Sequence, residues 1–484
     1  MLAGITVAAY LTPQCLAHAE LAGLPPATGL WAIILPFLVY AVLGSSPQLS
    51  IGSESGISLL TATALAGLTK SSSNTLDLAA LLACLVGIIC LVGYGLRLGF
   101  LANLLSKPIL VGYMAGVSLL MMGGQMSNLT GINTTAETVW GSVSQVWQNL
   151  DVYHWPTLAI SIFVLIFLFT VQKLAPSFPA PLLGVLLATA AVAIGNLEQA
   201  GVAVVGEISA GLPQLGLPRV SIEDIKALLL PALGIALVGY SDNVLTARAF
   251  ASRNGYIVAA DQELLALGLA NLSNGLAHGF AISSSASRTA LGESAGAKTQ
   301  LYSIVALVVV ILELWFLRPV LAVFPKAALG ALLIFAATRL IDIPEFVRLY
   351  KFRRNEFGLA IITLIGVTFT DITVGVVIAV GLSLLELLWR LLQPQVTVID
   401  RDVDTLVYCY DAPLCFANAE ALRGGLLETI ANRPKIQKLI LETREMSKSD
   451  ITAIDMLEEL RIELFDQGII LETKAIRSEI ATIP

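Results

Sequence analysis

Charged residues are scarce in this chain of 484 residues. Only 13% of the residues are charged and 56% are hydrophobic, with a mean hydropathy of +0.82, whereas about a quarter of a soluble protein is charged. This composition excludes an ordinary soluble fold, and apolar runs of about 20 residues match the thickness of a bilayer. We therefore predict a polytopic α-helical membrane protein.

Catalytic and metal-binding motifs are also missing. The sequence has no Walker loop, no nucleophile with a matching histidine and acid, and no Cys or His spacing typical of zinc. We interpret the five cysteines as packing residues, and Lys and Arg form no basic face for nucleic acid. We expect no enzyme activity, no cofactor, no metal site and no nucleic-acid partner.

Hydropathy divides the chain into membrane segments. Two stretches, 50–68 and 281–292, are short and rich in Ser and Gly, so we predict broken, half-length spans that line a cavity. With twelve full spans they make fourteen segments, in two halves of seven, and the odd number inverts one half relative to the other. The full spans are 2–19, 27–44, 77–97, 106–124, 155–173, 178–195, 227–247, 260–276, 298–317, 327–341, 357–371 and 373–392.

Lys and Arg predict the orientation in the membrane. Twelve of them lie in loops after even-numbered segments and five in the opposite loops, and the richer side is cytoplasmic. We predict an inner (plasma) membrane location with both termini cytoplasmic. No positively charged region precedes the first apolar stretch, so we expect the chain to begin inside its first span, with cytoplasmic residues upstream.

The end of the chain differs in character from the rest. Residues 395–484 hold 16 acidic and 10 basic residues, and strand patterns alternate with helix patterns, which favours a small α/β fold. We predict a transmembrane domain of residues 1–393 and a cytoplasmic domain of residues 394–484.

The two polar segments predict the binding site. They are third and tenth, corresponding places in the two halves, which is the pattern of a transporter site. Each is expected to be a short extended stretch leading into a half-helix, and two facing helix N termini make an anion site. Alternatively, Ser and Gly only let membrane helices pack closely. The candidate anion-binding residues here are Ser53, Glu54, Ser55, Ser284, Ser285, Ala286, Ser287 and Arg288.

Ionisable residues within the spans sharpen this prediction. Arg288 near a positive helix end needs a negative partner, either the substrate or a protein carboxylate. Asp242 interrupts an apolar span and is a candidate proton carrier, or else a structural carboxylate paired with Arg288 or Arg248. His18 is a candidate for hydrogen bonding to substrate or for proton relay, or a satisfied helix-interface residue.

Four groups of residues form motifs that follow in order through residues 1–393: Pro13-Gln14 with Ala22–Trp31, Gly44–Ser46 with Leu49–Gly52, Asp242 with Ala247-Arg248, and Ser285–Ala290. These motifs resemble those of the SulP family, the sulfate permease family of anion transporters. The tail resembles a STAS domain, with Asp450–Ala453 where such domains often have an Asp-Ser-Ser-Gly type turn.

The resemblance implies a core and a gate domain, an anion held between the third and tenth segments, an elevator-like movement of the core, and a homodimer. It also implies that Ser287 and Arg288 bind the anion and that Gln14 lies beside it. Asp242 takes the position where many members have a Glu linked to proton coupling.

Four residues depart from the family pattern. His18 stands in place of an aromatic residue, Glu20 in place of a small residue, Ser53 in place of a Pro, and Glu54 where an apolar residue is common. They leave the substrate and the coupling ion open. We predict secondary active transport of a small oxyanion, with sulfate and proton symport through Asp242 as the leading hypothesis. Bicarbonate with sodium coupling, a dicarboxylate, or an anion channel are the alternatives.

Overall fold

The structure is a computed structural model in which two compact units, Met1–Gly381 and Leu382–Pro484, are distinguished by their internal contacts. The fourteenth predicted span, 373–392, falls largely outside the described residues. The structure describes residues 1–68, 74–100, 106–132, 139–149, 153–175, 180–206, 213, 215–369, 378, 381–382, 385–386, 396–400, 404–410, 414–416, 418–433, 435–443 and 450–475.

Helices dominate the first unit. Eleven of the twelve predicted full spans coincide with helices, and both polar segments are a short strand followed by a short helix, as predicted. The elements are α1 (Leu2–Leu21), α2 (Ala27–Leu43), β1 (Ile51–Gly52), α3 (Ser55–Ala66), α4 (Thr75–Gly95), α5 (Lys107–Gly124), α6 (Met126–Thr130), α7 (Val139–Gln148), α8 (Trp155–Leu174), α9 (Ala180–Ile194), α10 (Ile222–Asn254), α11 (Ala260–Leu276), β2 (Ser283–Ser284), α12 (Ala286–Ser294), α13 (Leu301–Phe316), α14 (Arg318–Ala322), α15 (Lys326–Leu340), α16 (Ile343–Phe352) and α17 (Arg354–Phe369).

Helix length separates the spans into classes. By length and composition alone, four described helical stretches are long and apolar enough to cross a membrane: α4, α5, α8 and Lys326–Phe352, which runs through α15 and α16. In contrast, α3 has 12 residues and α12 has 9, which at about 1.5 Å per residue reach only about halfway through a hydrocarbon core of about 30 Å. These two helices are the predicted half-length segments.

Contacts between helices divide the described part of the first unit into two packing groups. The first group contains α1–α4, β1, β2 and α10–α13, with α11 packed on α2 and α4 and with α1 packed on α13. The second contains α5–α9 and α15–α17, with α17 packed on α5 and α15 on α8. Contacts between the groups run through α1 with α9 and α15, and through α3 with α5. The division matches the core and gate domains expected from the resemblance.

The second unit is a small α/β fold. Its four strands lie in the order β3-β4-β5-β6; β3 is antiparallel to β4, and the other pairs are parallel. In the register Leu439 pairs with Leu406 on one side and Leu471 on the other, and all three are buried. The predicted succession of strands and helices is confirmed: β3 (Val396–Asp400), β4 (Thr405–Tyr410), α18 (Ala419–Ala431), β5 (Lys438–Thr443), α19 (Ile451–Asp466) and β6 (Ile470–Ala475).

The turn before α19 is the one that resembles the STAS motif. Asp450 accepts hydrogen bonds from the backbone N–H of Ala453 (2.9 Å) and from the N–H of Phe416 (2.7 Å). Its carboxylate therefore caps the helix and joins two loops of this unit. The turn therefore has a structural role in this unit.

Candidate functional site

The two half-helices begin at one antiparallel ribbon. Ile51 of β1 pairs with Ser284 of β2, and Ser285 N–H donates to Ser50 O (2.8 Å). Because the strands are antiparallel and each leads into a helix, α3 and α12 leave the ribbon in opposite directions with adjacent N termini. The ribbon thus brings together the positive ends of two helix dipoles.

Side chains of α11 satisfy the non-helical backbone that leads into the ribbon. Asn271 donates from Nδ2 to Ile282 O (3.1 Å) and accepts at Oδ1 from Ile282 N–H (2.9 Å). Asn274 Nδ2 donates to Phe280 O (2.6 Å). Irregular backbone at membrane depth persists only where protein or trapped water supplies its hydrogen bonds, so α11 holds the segment before α12 in place.

A cavity of about 600 Å³ lies between the two packing groups, beside the N termini of both half-helices. Of the eleven predicted site residues, only Ser53 and Arg288 are absent from its lining. The opposite wall comes from α5 and α15, and it is mainly apolar, with Met114 and Phe335 among its residues. The predicted residues that line the cavity are Gln14, His18, Glu54, Ser55, Asp242, Ser284, Ser285, Ala286 and Ser287.

Arg288 is completely buried and reaches from α12 back to the start of α3. Its Nη1 donates to Ser53 O (2.6 Å) and its Nε to Ser50 Oγ (3.3 Å). Its Nη2 finds no acceptor among the residues that the structure describes. A buried cation with an open donor beside two helix N termini strongly favours a negative charge nearby.

Two carboxylates face the same cavity. Asp242 of α10 accepts a hydrogen bond from Ser284 Oγ (3.4 Å). Glu54 is the N-cap of α3 and accepts from Ile57 N–H (3.1 Å) and Ser55 Oγ (2.7 Å). Both carboxylates are held by protein hydrogen bonds and line the cavity.

Helix α1 contributes a buried polar cluster. Ser53 Oγ donates to Cys15 Sγ (3.1 Å) and lies 3.3 Å from His18 Nδ1. Gln14 Oε1 is buried with no partner in the described part of the chain. Gln14 and His18 are thus available to position a ligand through hydrogen bonds.

Three polar residues of the cavity lining were not predicted from the sequence. Tyr10 precedes Gln14 and His18 at intervals of four residues, so this spacing on one helix face could have identified it. Arg339 and Asp342, at the end of α15, also line the cavity. Arg339 is one of the twelve Lys and Arg residues that predict the cytoplasmic side. Nothing in its local sequence distinguishes it from the other arginines of that group.

A buried carboxylate outside the cavity shows how a structural acid differs from the two acids in the cavity. Glu263 of α11 is fully buried and accepts from Tyr40 OH (3.0 Å), from the N–H and Oγ of Ser45 (2.9 and 2.6 Å) and from Asn243 Nδ2 (2.7 Å). Such a set of donors compensates for the lost hydration of a carboxylate. Because Asn243 follows Asp242, this network also fixes the part of α10 that carries Asp242.

Family models match both parts of the chain. The model described as the sulfate permease family matches residues 1–363, and the STAS domain model matches residues 393–483. The chain belongs to the sulfate permease family. The family and the STAS domain predicted from the sequence are confirmed, while the domain boundary between residues 393 and 394 stays a prediction.

Curated members of the sulfate permease family align with nearly the whole chain. A probable sulfate transporter of Mycobacterium tuberculosis (strain CDC 1551 / Oshkosh) is 46% identical over 500 residues, which cover 99% of this chain and 89% of the relative. Sulfate transporter 4.1, chloroplastic, of Arabidopsis thaliana is 31% identical over 499 residues, with 95% and 72% covered.

Solved structures share the fold of this sulfate permease family member. The murine Solute Carrier 26 family member A9 anion transporter in the inward-facing state superposes with a TM-score of 0.87 at 24% identity, covering 98% of this chain and 84% of that one. The transmembrane domain of a cyanobacterium bicarbonate transporter, BicA, gives a TM-score of 0.70 at 19% identity, with 78% and 96% covered. The predicted fold class, a helical membrane protein with a small STAS domain, is confirmed.

Proposed function

We propose that this chain is a secondary active transporter of a small oxyanion, with sulfate as substrate and protons as the coupling ion. One observation carries the proposal: two half-helix N termini meet beside a cavity, next to a buried Arg288 whose Nη2 has no acceptor among the described residues. Helix ends and a guanidinium together suit an oxyanion. The two curated relatives, both named as sulfate transporters, support sulfate.

Four predicted residues have contacts that suit direct anion recognition. Ser285 and Ser287 lie 3.2 Å apart at their hydroxyl oxygens, at the start of α12, and both line the cavity together with Gln14 and Ser55. Hydroxyl, amide and backbone N–H donors converge on one space, so an oxyanion there exchanges its water for protein hydrogen bonds. Arg288 supplies the compensating positive charge from behind this lining.

Asp242 is the proposed proton carrier. It lies inside α10, lines the cavity, and accepts from one hydroxyl at 3.4 Å. This is a weaker set of donors than the one that holds Glu263. An acid at this depth is costly unless it has a function, and a proton taken up here neutralises one charge of an incoming anion.

The movement proposed is that of an elevator. The first packing group, which carries both half-helices, moves against the second, and exposes the cavity first to one side of the membrane and then to the other. We propose that the chain works as a homodimer in the inner membrane, with both termini cytoplasmic and no enzymatic activity of its own.

Bicarbonate is the second candidate substrate. The observation that favours it is the presence of two hydrogen-bond acceptors, Glu54 and Asp242, in the cavity lining. Bicarbonate can donate its hydroxyl hydrogen to an ionised carboxylate, whereas sulfate has no hydrogen to give. Sodium in place of protons would then balance the carboxylate charge.

Uptake into proteoliposomes separates these candidates. We expect the purified chain to accumulate labelled sulfate under an inward proton gradient, and we expect the accumulation to collapse when a protonophore removes the gradient. Bicarbonate and fumarate serve as competitors. Inhibition by bicarbonate alone, or a requirement for sodium, would favour bicarbonate as the substrate instead of sulfate.

Asp242→Asn tests the coupling role. The amide has nearly the same shape but takes up no proton, so we expect a proton gradient to drive less sulfate accumulation than in the wild type, while sulfate binding and sulfate exchange across the membrane persist. Exchange with sulfate on both sides, without any gradient, is the control for folding. Proton-driven accumulation by the variant that equals that of the wild type would contradict the assignment of Asp242.

A further inference from the structure

Glu54 occupies the place that a bound anion would take at the end of α3. Its extended backbone (φ −138°, ψ 148°) makes it the N-cap, and its two oxygens accept from Ser55 Oγ and Ile57 N–H. These donors belong to the same helix end that is proposed to hold substrate. In the empty site the carboxylate of Glu54 therefore substitutes for the anion, and an arriving anion competes with it for the same hydrogen bonds.

The surroundings of Glu54 decide what such competition costs. Asp242 of α10 lines the same small pocket as Glu54, and Arg288 is the buried cation of the site. The acids and thiols of α4 (Asp77, Cys84 and Cys90) face α11 and its following loop instead. The titratable and charged groups around Glu54 are Tyr10 and His18 of α1, Tyr113 of α5, Asp242 of α10, Arg288 of α12, and Arg339 and Asp342 at the end of α15.

The net charge of the site indicates how many protons accompany each sulfate. With both carboxylates ionised, Glu54, Asp242 and Arg288 give the empty site a net charge of minus one. Sulfate adds two negative charges. If both carboxylates take a proton, the loaded site again carries minus one, whereas a single proton leaves it at minus two. Arg339 and Asp342 cancel each other in every case. Only the doubly protonated site crosses the low-dielectric bilayer with the same charge in both directions.

We propose that Glu54 is a second proton carrier, so that one sulfate crosses together with two protons, one on Glu54 and one on Asp242. The inference rests on the proposed proton-coupled transport. Each proton comes from water on the entry side and forms an O–H bond with one carboxylate oxygen. On the exit side that bond breaks, the proton returns to water, and the ionised Glu54 recaptures Ile57 N–H and Ser55 Oγ. Transport is then electroneutral.

The experiment counts protons and tests the effect of membrane potential. Full-length protein in proteoliposomes is given labelled sulfate, with a pH-sensitive dye inside the vesicles and a potassium diffusion potential set by valinomycin. The wild-type chain is expected to move two protons per sulfate at a rate that the potential does not change. Glu54→Gln is expected to move one proton per sulfate, and an inside-positive potential is expected to accelerate its uptake.

Glu313→Gln is the matched control. Glu313 of α13 is hydrogen-bonded to Thr12 on the neighbouring helix and does not line the cavity. Its amide variant removes an intramembrane carboxylate without touching the site. We expect it to keep two protons per sulfate and to remain insensitive to the potential.

The outcomes are distinct. Two protons per sulfate in Glu54→Gln, or one in the wild type with no change in the variant, would overturn the role of Glu54 and leave sulfate transport intact. A wild-type chain that moves no sulfate would overturn the proposed function and this inference with it. If Glu54→Gln is inactive, calorimetry of sulfate binding to wild-type protein, in buffers of different ionisation enthalpy at mildly alkaline pH, decides: two protons taken up support the role, and one contradicts it.

Discussion

The two half-helices hold corresponding places in the chain but present different chemistry at their N termini. At α3 the cap is the carboxylate of Glu54, whereas at α12 it is the hydroxyl of Ser285, which accepts from Arg288 N–H (3.4 Å). One end therefore carries its own negative charge, and the other lacks one. The pair teaches that one backbone geometry, used twice, can present different chemistry. In our proposal α12 recognises the anion and α3 links its binding to a proton.

Arg288→Ala should have the largest effect on sulfate binding, because the Arg288 guanidinium extends from α12 to the start of α3. Its loss removes the buried positive charge and leaves Ser53 O without its donor, so we expect sulfate affinity to fall roughly 100-fold or more. Equilibrium binding of sulfate to the detergent-solubilised protein measures this affinity. Arg253→Ala, which removes an exposed cation near the end of α10, is the control. Unchanged affinity in Arg288→Ala would remove this residue from the site.

Ser285→Asp would make the two ends alike. Aspartate caps a helix as well as serine does, so α12 should remain, but its carboxylate would repel the anion. We expect sulfate to bind roughly tenfold more weakly at neutral pH, with affinity recovering as the pH falls and the new carboxyl takes a proton. Ser285→Ala loses the cap, worth about 1 kcal/mol, and the hydroxyl donor to the anion, but it adds no charge and should show no such recovery. An affinity equal to wild type in Ser285→Asp would place the anion away from α12.

Gly52→Ala should have a smaller effect, by disturbing the ribbon that both ends share. Gly52 has φ 140°, and a Cβ there would lie 2.7 Å from Ile33 Cγ2. The strain is worth about 1–3 kcal/mol, so we expect a lower thermal unfolding temperature and a several-fold loss of affinity. Gly67→Ala, at the other end of α3, has an ordinary φ of −67° and open space around its Cβ among the described residues. Equal unfolding temperatures for the two variants would show that the ribbon tolerates a side chain.

Much of the fold could be predicted from the sequence, because a membrane restricts the choices. Backbone groups in lipid must bond within their own segment, so hydropathy placed most helices within a few residues of their observed ends. Hydropathy did not identify the segments 50–68 and 281–292 as ordinary spans, because they are too polar. That polarity itself indicated half-helices. The span predicted at 227–247 is only the middle of α10, which continues as a helix at both ends; hydropathy does not detect its polar ends.

Most of the predicted residues line one cavity, but the geometry of this candidate site was not predictable. Short polar motifs identified Ser284–Ser287 and Glu54, since such residues are expensive at membrane depth. That Arg288 would bond to Ser53 O rather than to a carboxylate depends on a pairing between residues more than 200 positions apart. The same holds for the apolar wall of Met114 and Phe335. Nothing local indicates which of many apolar residues face a cavity, because packing across the two groups decides it.

The position of the anion tests the account most directly. Selenate has the shape and charge of sulfate, and its selenium scatters X-rays anomalously, so a crystal of the full chain grown with selenate would reveal it. We predict one anomalous peak in the cavity between the N termini of α3 and α12, within hydrogen-bonding distance of Ser287 and on the cavity side of Arg288. A peak elsewhere, with this cavity empty at saturating selenate, would contradict the site and the mechanism built on it.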